Sequence, residues 1–102
     1  MNRIEILKGF LNDNANDSFS RYALALEYMK LGQNDDALRE LETVRLNDPD
    51  YLATYFQLGQ LYQKVGRTHD AEKTFRTGMT VAAKAGDEHT RSELEGALET
   101  LL

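Results

Sequence analysis

The stretch LALEYMKLGQNDDALREL, residues 24–41, returns in altered form 34 residues later as LGQLYQKVGRTHDAEKTF, residues 58–75. Six positions keep their chemical type without a gap: a leucine, the small residue after it, a tyrosine, a glycine, an alanine and a large apolar residue. A fixed period of this length indicates a chain assembled from repeated supersecondary units. This repeat therefore decides how the rest of the sequence is interpreted.

Within each unit the apolar residues recur at spacings of three and four, which predicts two amphipathic helices separated by a glycine. In the first unit Gly32 ends one helix, and Asn34 is the predicted N-cap of the next. Gly66 and Thr68 take the same roles in the second unit, whose second helix is predicted to run straight to about Lys84. Each unit is therefore predicted to be a helical hairpin.

Small residues lie on the predicted buried stripes, where a larger side chain would hold two helix backbones apart. These residues are Ala25, Ala37, Gly59, Ala71 and Gly78. Three aromatic rings, Tyr28, Tyr62 and Phe75, are predicted to fill the space beside them. The pattern indicates close helix crossings inside each hairpin.

The segments outside the two units are predicted to be capping helices. Shifting the first unit's second helix back by 34 residues lands on an apolar stripe of Ile4, Leu7, Phe10 and Leu11. At the other end Asp87 is the predicted N-cap of a final helix with one apolar face, made of Leu94, Ala97, Leu98, Leu101 and Leu102. We expect one domain over residues 1–102, with a capping helix at 3–12, repeats at 18–51 and 52–85, and a capping helix at 87–102.

Composition excludes several classes of function. The 102-residue chain has no cysteine, so it forms no disulfide, no thiolate nucleophile and no cysteine-type zinc site. A net charge of −5, with acids and bases interspersed, gives no basic surface for nucleic acid. We see no signal peptide and no membrane-spanning stretch, and therefore expect a soluble cytoplasmic protein that does not bind membranes.

The repeat resembles the tetratricopeptide repeat family, whose 34-residue signature it follows over residues 18–85. The resemblance implies an all-α fold, a right-handed stack of helical hairpins with two repeats between capping helices. Two positions depart from the signature: Arg21 stands where an early aromatic residue is expected, and Ala83 replaces a late proline.

The resemblance also implies a function, because this family mostly binds peptides or partner proteins on a concave face lined by the first helix of each repeat. The implied partner-binding residues are Phe19, Tyr22, Leu26, Met29 and Lys30 in the first repeat, Ala53, Phe56, Gln60, Gln63 and Lys64 in the second, and Arg91 from the final helix. One variety of these repeats grips a C-terminal carboxylate with Lys and Asn, but Tyr22 and Leu26 occupy those two positions here. That clamp is therefore expected to be absent.

The residues themselves point to the same face. The helix from Phe19 to Leu31 carries a second apolar stripe, opposite the one assigned to the hairpin core. A helix that is apolar on two sides must be covered on both or expose a patch. Three interpretations remain open: a groove for a partner, the interface of a homodimer or structural scaffold, or core covered by the N-terminal helix.

Catalytic signatures are missing from the sequence. His69 and His89 stand 20 residues apart in different predicted helices, without a second histidine at metal-ligand spacing. No nucleophile–histidine–acid set, phosphate-binding loop or dinucleotide fingerprint is present. We therefore expect a binding protein that needs no metal or cofactor and is not an enzyme.

Overall fold

The computed structural model describes residues 2–102, and this part of the chain is all-α, as predicted, without a β-strand. Six helices follow one another: α1 Arg3–Asp13, α2 Ser18–Lys30, α3 Asn34–Asn47, α4 Ala53–Lys64, α5 Thr68–Lys84 and α6 Glu88–Glu99. They form two compact units. The first ends at Asp48 and holds α1 to α3; the second begins at Pro49 and holds α4 to α6.

In the first unit α2 packs against both α1 and α3. Leu24 and Leu41 are almost completely buried in this core. Arg21, which replaces the expected aromatic residue, makes a 2.7 Å ion pair with Glu40 of α3, and both side chains are mostly buried. The ion pair thus joins the two helices of the hairpin at the position where the family signature places an apolar ring.

In the second unit α5 lies between α4 and α6. A Cβ atom at Gly59 would lie 2.3 Å from the ring of Phe75, which is completely buried. A Cβ at Gly78 would lie 2.6 Å from the Cβ of Tyr55 and 2.9 Å from Leu94 of α6. The predicted close crossings at these two glycines are therefore confirmed. Glycine is required at both positions because the rings of Phe75 and Tyr55 occupy the space that a side chain would need.

We expect Gly59→Ala to lower the free energy of unfolding by about 1–3 kcal/mol, because Phe75 has no free space into which to move. The matched control is Gly96→Ala in α6, where an added Cβ meets nothing within 4 Å. There alanine should raise the free energy of unfolding by about 0.5–1 kcal/mol through its higher helix propensity. Urea unfolding followed by circular dichroism measures both, and equal effects at the two sites would contradict the close crossing.

Three turns share one construction, built on glycines in the left-handed region. Gly32, Gly66 and Gly86 have φ of 73°, 85° and 72°. In each turn the next residue's N–H donates to a carbonyl four residues before the glycine, as Gln33 does to Tyr28 at 3.0 Å. This is the hydrogen bond of a Schellman C-cap. It leaves a single residue between glycine and the next helix, which therefore becomes that helix's N-cap.

The predicted N-caps Asn34 and Thr68 are wrong for this reason. Gln33 and Arg67 occupy the N-cap positions, without a side-chain capping hydrogen bond, and Asn34 and Thr68 are already the first helical residues. Asp87 stands directly after its glycine and is the N-cap of α6, as predicted. The expected extent of α5 to Lys84 is also confirmed.

Both terminal helices depart from the prediction in their apolar faces. Of the four residues assigned to the α1 stripe only Leu7 is buried, and Phe10 is 51% exposed. In α6 Leu94 and Leu98 are buried as expected. Leu102 was wrongly included in that face: α6 ends at Glu99, so Leu102 lies beyond the helix and is 78% exposed.

Two aspartates cap helices with both carboxylate oxygens. Asp17 accepts from the N–H of Ser20 at 3.0 Å and from its hydroxyl at 2.6 Å, and Asp87 accepts from Thr90 in the same way. For Asp17 the hydroxyl bond is the larger cause that lowers the carboxyl pKa below 3.8, whereas for Asp87 it is the backbone bond. The ionised form is thereby favoured in the folded state.

This pKa depression predicts the pH dependence of stability. A carboxylate with a lowered folded-state pKa stabilises the fold above its unfolded-state pKa and loses that contribution as pH falls through the folded value. The melting temperature of Asp17→Ala with Asp87→Ala should therefore lie below that of the wild type at pH 6. The difference should shrink once pH falls below about 4. Thermal melts across pH test this, and a gap that is constant down to about pH 2 would contradict the capping role.

Candidate functional site

The eleven predicted partner-binding residues divide between the two units. Five belong to α2 in the first unit: Phe19, Tyr22, Leu26, Met29 and Lys30. Six belong to the second unit: Ala53, Phe56, Gln60, Gln63 and Lys64 on α4, and Arg91 on α6.

The second apolar stripe of α2 is partly open to solvent. Phe19 is 60% exposed, although α1 packs against α2, whereas Tyr22, Leu26 and Met29 are half-buried. An aromatic ring exposed to this degree offers apolar area that a partner can bury. Phe19 is thus the residue of this stripe that is most available to a partner.

A cleft of about 470 Å³ lies between α1 and α2. Phe19 and Ala23 line it from α2, and Ile6, Leu7 and Phe10 line it from α1. Ile6 and Phe10 are 40% and 51% exposed, so the cleft is open, and the polar side chains of Arg3, Asp17 and Ser20 line it beside the apolar ones. The sequence prediction missed this surface because it placed Phe10 in the buried stripe and did not consider Ile6.

The surface of α4 is more polar. Phe56 is half-buried, and Gln60, Gln63 and Lys64 are exposed. The two amides are donors and acceptors that suit the backbone of a bound segment. Within residues 2–102 Lys64 makes no ion pair. Its ammonium group is therefore the one predicted cation of this set whose charge is not compensated.

The other two predicted cations are already paired. Arg91 donates to Glu88 at 2.6 Å and to Glu95 at 3.3 Å, and these bonds raise the pKa of its guanidinium further above its ordinary range. The bond from Arg91 in turn lowers the pKa of the Glu88 carboxyl. Lys30 lies 3.4 Å from Glu27, which also pairs with Arg3. A ligand carboxylate would have to compete with these partners.

In the part of the chain that the structure describes, no three histidine, cysteine, aspartate or glutamate side chains come together as metal ligands. None of the six helices described is both long and apolar enough to cross a membrane.

The exposure of Phe19 makes a prediction about stability. We expect Phe19→Ala to change the free energy of unfolding by less than about 0.5 kcal/mol, because the ring is mostly in water already. Leu24, one turn further along α2, is 2% exposed. Leu24→Ala should cost about 2–5 kcal/mol by leaving a cavity. Urea titrations of both variants measure this, and a large loss at Phe19 would assign its ring to the core.

The family profile described as "Tetratricopeptide repeat" matches residues 52–84. A tetratricopeptide repeat domain protein from Salinibacter ruber, solved by NMR, is 41% identical in sequence. The alignment covers 83% of this chain and 86% of that one, with a TM-score of 0.81. No curated protein matches the sequence.

Two complexes share the fold at lower identity. The TPR2B domain of yeast Sti1, in a complex with pHsp70, is 14% identical with a TM-score of 0.89; the alignment covers 96% of this chain and 78% of that one. PcrH, in complex with the chaperone binding region of PopD, is 19% identical with a TM-score of 0.87, over 96% of this chain and 74% of that one. At these identities the likeness concerns the fold alone.

Proposed function

Because the chain belongs to the tetratricopeptide repeat family, we propose that it is a protein-interaction module that binds a peptide or a segment of a partner protein. The proposed binding residues are the eleven named above, on α2, α4 and α6. The observation that carries the proposal is the second apolar stripe of α2, which has Phe19 60% exposed beside three half-buried apolar side chains. Exposed apolar stripes with aromatic residues are typical of partner surfaces.

The two proposed surfaces favour different features of a ligand. The α2 stripe offers apolar contacts to Phe19, Leu26 and Met29, which suit aliphatic or aromatic side chains. On α4, Gln60 and Gln63 suit the amide groups of a peptide backbone, and Lys64 suits an acidic group. The net charge of −5 favours a protein ligand over nucleic acid. We therefore infer that the α2 surface takes apolar side chains of a ligand and that the α4 surface takes an acidic group.

Two distant relatives of the fold support binding as the class of function. The yeast Sti1 domain forms a complex with pHsp70, and PcrH forms one with the chaperone binding region of PopD. The signature residues that the present chain shares with its family serve the hairpin core and leave the outward faces free to vary. The identity of the ligand is thus set by the residues of these faces.

The test uses peptides selected from a random library displayed on phage and captured by the wild-type chain. We expect Leu26→Ala with Phe56→Ala to weaken binding of the selected peptides at least tenfold, about 1.4 kcal/mol. The control is Leu46→Ala with Val65→Ala, which removes one apolar side chain from each unit at exposed positions outside the proposed faces. Isothermal titration calorimetry measures the affinities, and circular dichroism checks that both variants are helical.

Three outcomes are distinguishable. Loss of affinity in the first variant alone supports the proposed faces. Equal affinities in the two variants would place the binding site elsewhere. If no peptide is selected and the Leu26/Phe56 variant turns a dimer into a monomer, the α2 stripe is a self-association surface and the proposed ligand class is wrong.

A further inference from the structure

Helix α1 presents a face that no helix covers within residues 2–102. We define the α1 face as Arg3, Ile6, Phe10 and Asp13, which follow one another at spacings of three or four and so lie along one side of the helix. Its two apolar members are 40% and 51% exposed and line the 470 Å³ cleft beside α2. Exposed apolar side chains along a whole helix side indicate a missing packing partner.

The repeat shows what kind of partner covers such a face. Moving Phe10 by 34 and 68 residues gives Val44 and Gly78, and both are buried. At Gly78 the covering groups are Tyr55 of the preceding helix α4 and Leu94 of the following helix α6. Phe10 lies beside the following helix, α2, and yet is 51% exposed. The occupant that fits the α1 face is therefore a helix.

The order of residues on this face identifies the helix. Ile6 and Phe10 lie symmetrically about Lys8, and so do Arg3 and Asp13. If two copies of α1 pack antiparallel about that position, each isoleucine meets the partner's phenylalanine. Each Arg3 then meets Asp13 of the partner. The two Arg3–Asp13 pairs lie at opposite ends of the interface, about 15 Å apart along the helix axis. The face is thus complementary to itself in charge and in apolar content, as a twofold interface requires.

The charges at the two ends are suited to this pairing. The Asp13 carboxylate makes no hydrogen bond or ion pair within residues 2–102. As an acid in the last turn of a helix, it lies against the negative end of the helix dipole. Arg3 pairs with Glu27 at 2.9 Å, but its side chain is 63% exposed, so a second carboxylate can still reach it. An intermolecular Arg3–Asp13 pair would offset the unfavourable position of the aspartate.

We propose that the α1 face is a self-association surface, on which α1 of a second copy of this chain packs antiparallel. The area of a single helix face falls below that of a standard protein interface. The dimer is therefore weak, with a dissociation constant on the order of 100 μM. Phe19 of the proposed ligand site also lines the cleft beside this surface, but Leu26 and Phe56 do not. The Leu26/Phe56 variant therefore tests ligand binding without changing the dimer surface, and the two proposals can fail independently.

Charge reversal tests the register directly. Arg3→Glu alone and Asp13→Lys alone place like charges opposite each other in a homodimer, so each should weaken self-association at least fivefold at low salt. The double variant Arg3→Glu with Asp13→Lys restores both pairs and should dimerise like the wild type. Mixing the two single variants should give a heterodimer tighter than either homodimer. Sedimentation equilibrium from 20 μM to 1 mM measures every association constant, with concentrations chosen to bracket the expected dissociation constant.

Matched controls separate the interface from general effects of charge and hydrophobicity. Arg39→Glu reverses another exposed arginine, 69% exposed on α3, and should leave association unchanged. Phe10→Ser should weaken the dimer at least tenfold, whereas Leu46→Ser, at a residue 70% exposed on α3, should not. Circular dichroism melts verify that each variant is folded at the temperature of the measurement.

Restoration in the double variant together with heterodimer formation in the mixture supports the proposal, because a loss of fold cannot produce either result. A wild-type chain that stays monomeric at 1 mM overturns it, including the case in which an added partner protein then occupies the face. A dimer that is indifferent to the charge reversals and to Phe10→Ser also overturns it, because such a dimer uses another surface.

Discussion

The close approach of two helices within each hairpin is the constraint on which the other features depend. In the second unit α4 comes so near α5 that a single added carbon at Gly59 would overlap the ring of Phe75. The approach lets a large ring on one helix pack against the backbone of the other, so dispersion contacts and apolar burial are both high. In the first unit the same positions hold Ala25 and Leu41, both fully buried. Relative to the second unit, the ring is replaced by the smaller Leu41 and the glycine by the slightly larger Ala25.

The short turns between helices keep neighbouring helices close enough for this packing. Each of the three positive-φ glycines ends a helix and leaves one residue before the next helix begins. A connection this short keeps consecutive helices antiparallel and adjacent, and it fixes which side of each helix faces inward. The capping residues are set by the same geometry, so Gln33 and Arg67 become N-caps although neither has a favourable side chain for that position.

What the hairpins leave outside is available for function. Core positions on α2 are occupied by Leu24, Ala25 and Tyr28, whereas Phe19 on the second stripe is 60% exposed. The charged residues near these surfaces differ in whether an ion pair already compensates their charge. The ion pairs of α6 show why the sequence alone does not predict this. Arg91 resembles a ligand-binding cation in the sequence, yet two carboxylates of its own helix already hold it. Compensation of this kind reduces the electrostatic gain from a ligand.

The sequence by itself determined the helices, their hairpin pairing and the small residues at the crossings. Those features follow from local periodicity and from a 34-residue repeat, both of which are visible without coordinates. Only part of the candidate site could be predicted in this way. The repeat predicted which residues of α2 and α4 belong to it, but not how exposed their side chains are or which charges are already paired. Only the tertiary structure decided that Phe19 is exposed, that Arg91 is paired, and that Phe10 and Leu102 are not buried. The physical reason is that burial and charge compensation depend on which neighbouring helix is present, and a periodic pattern specifies a helix face without specifying what covers it.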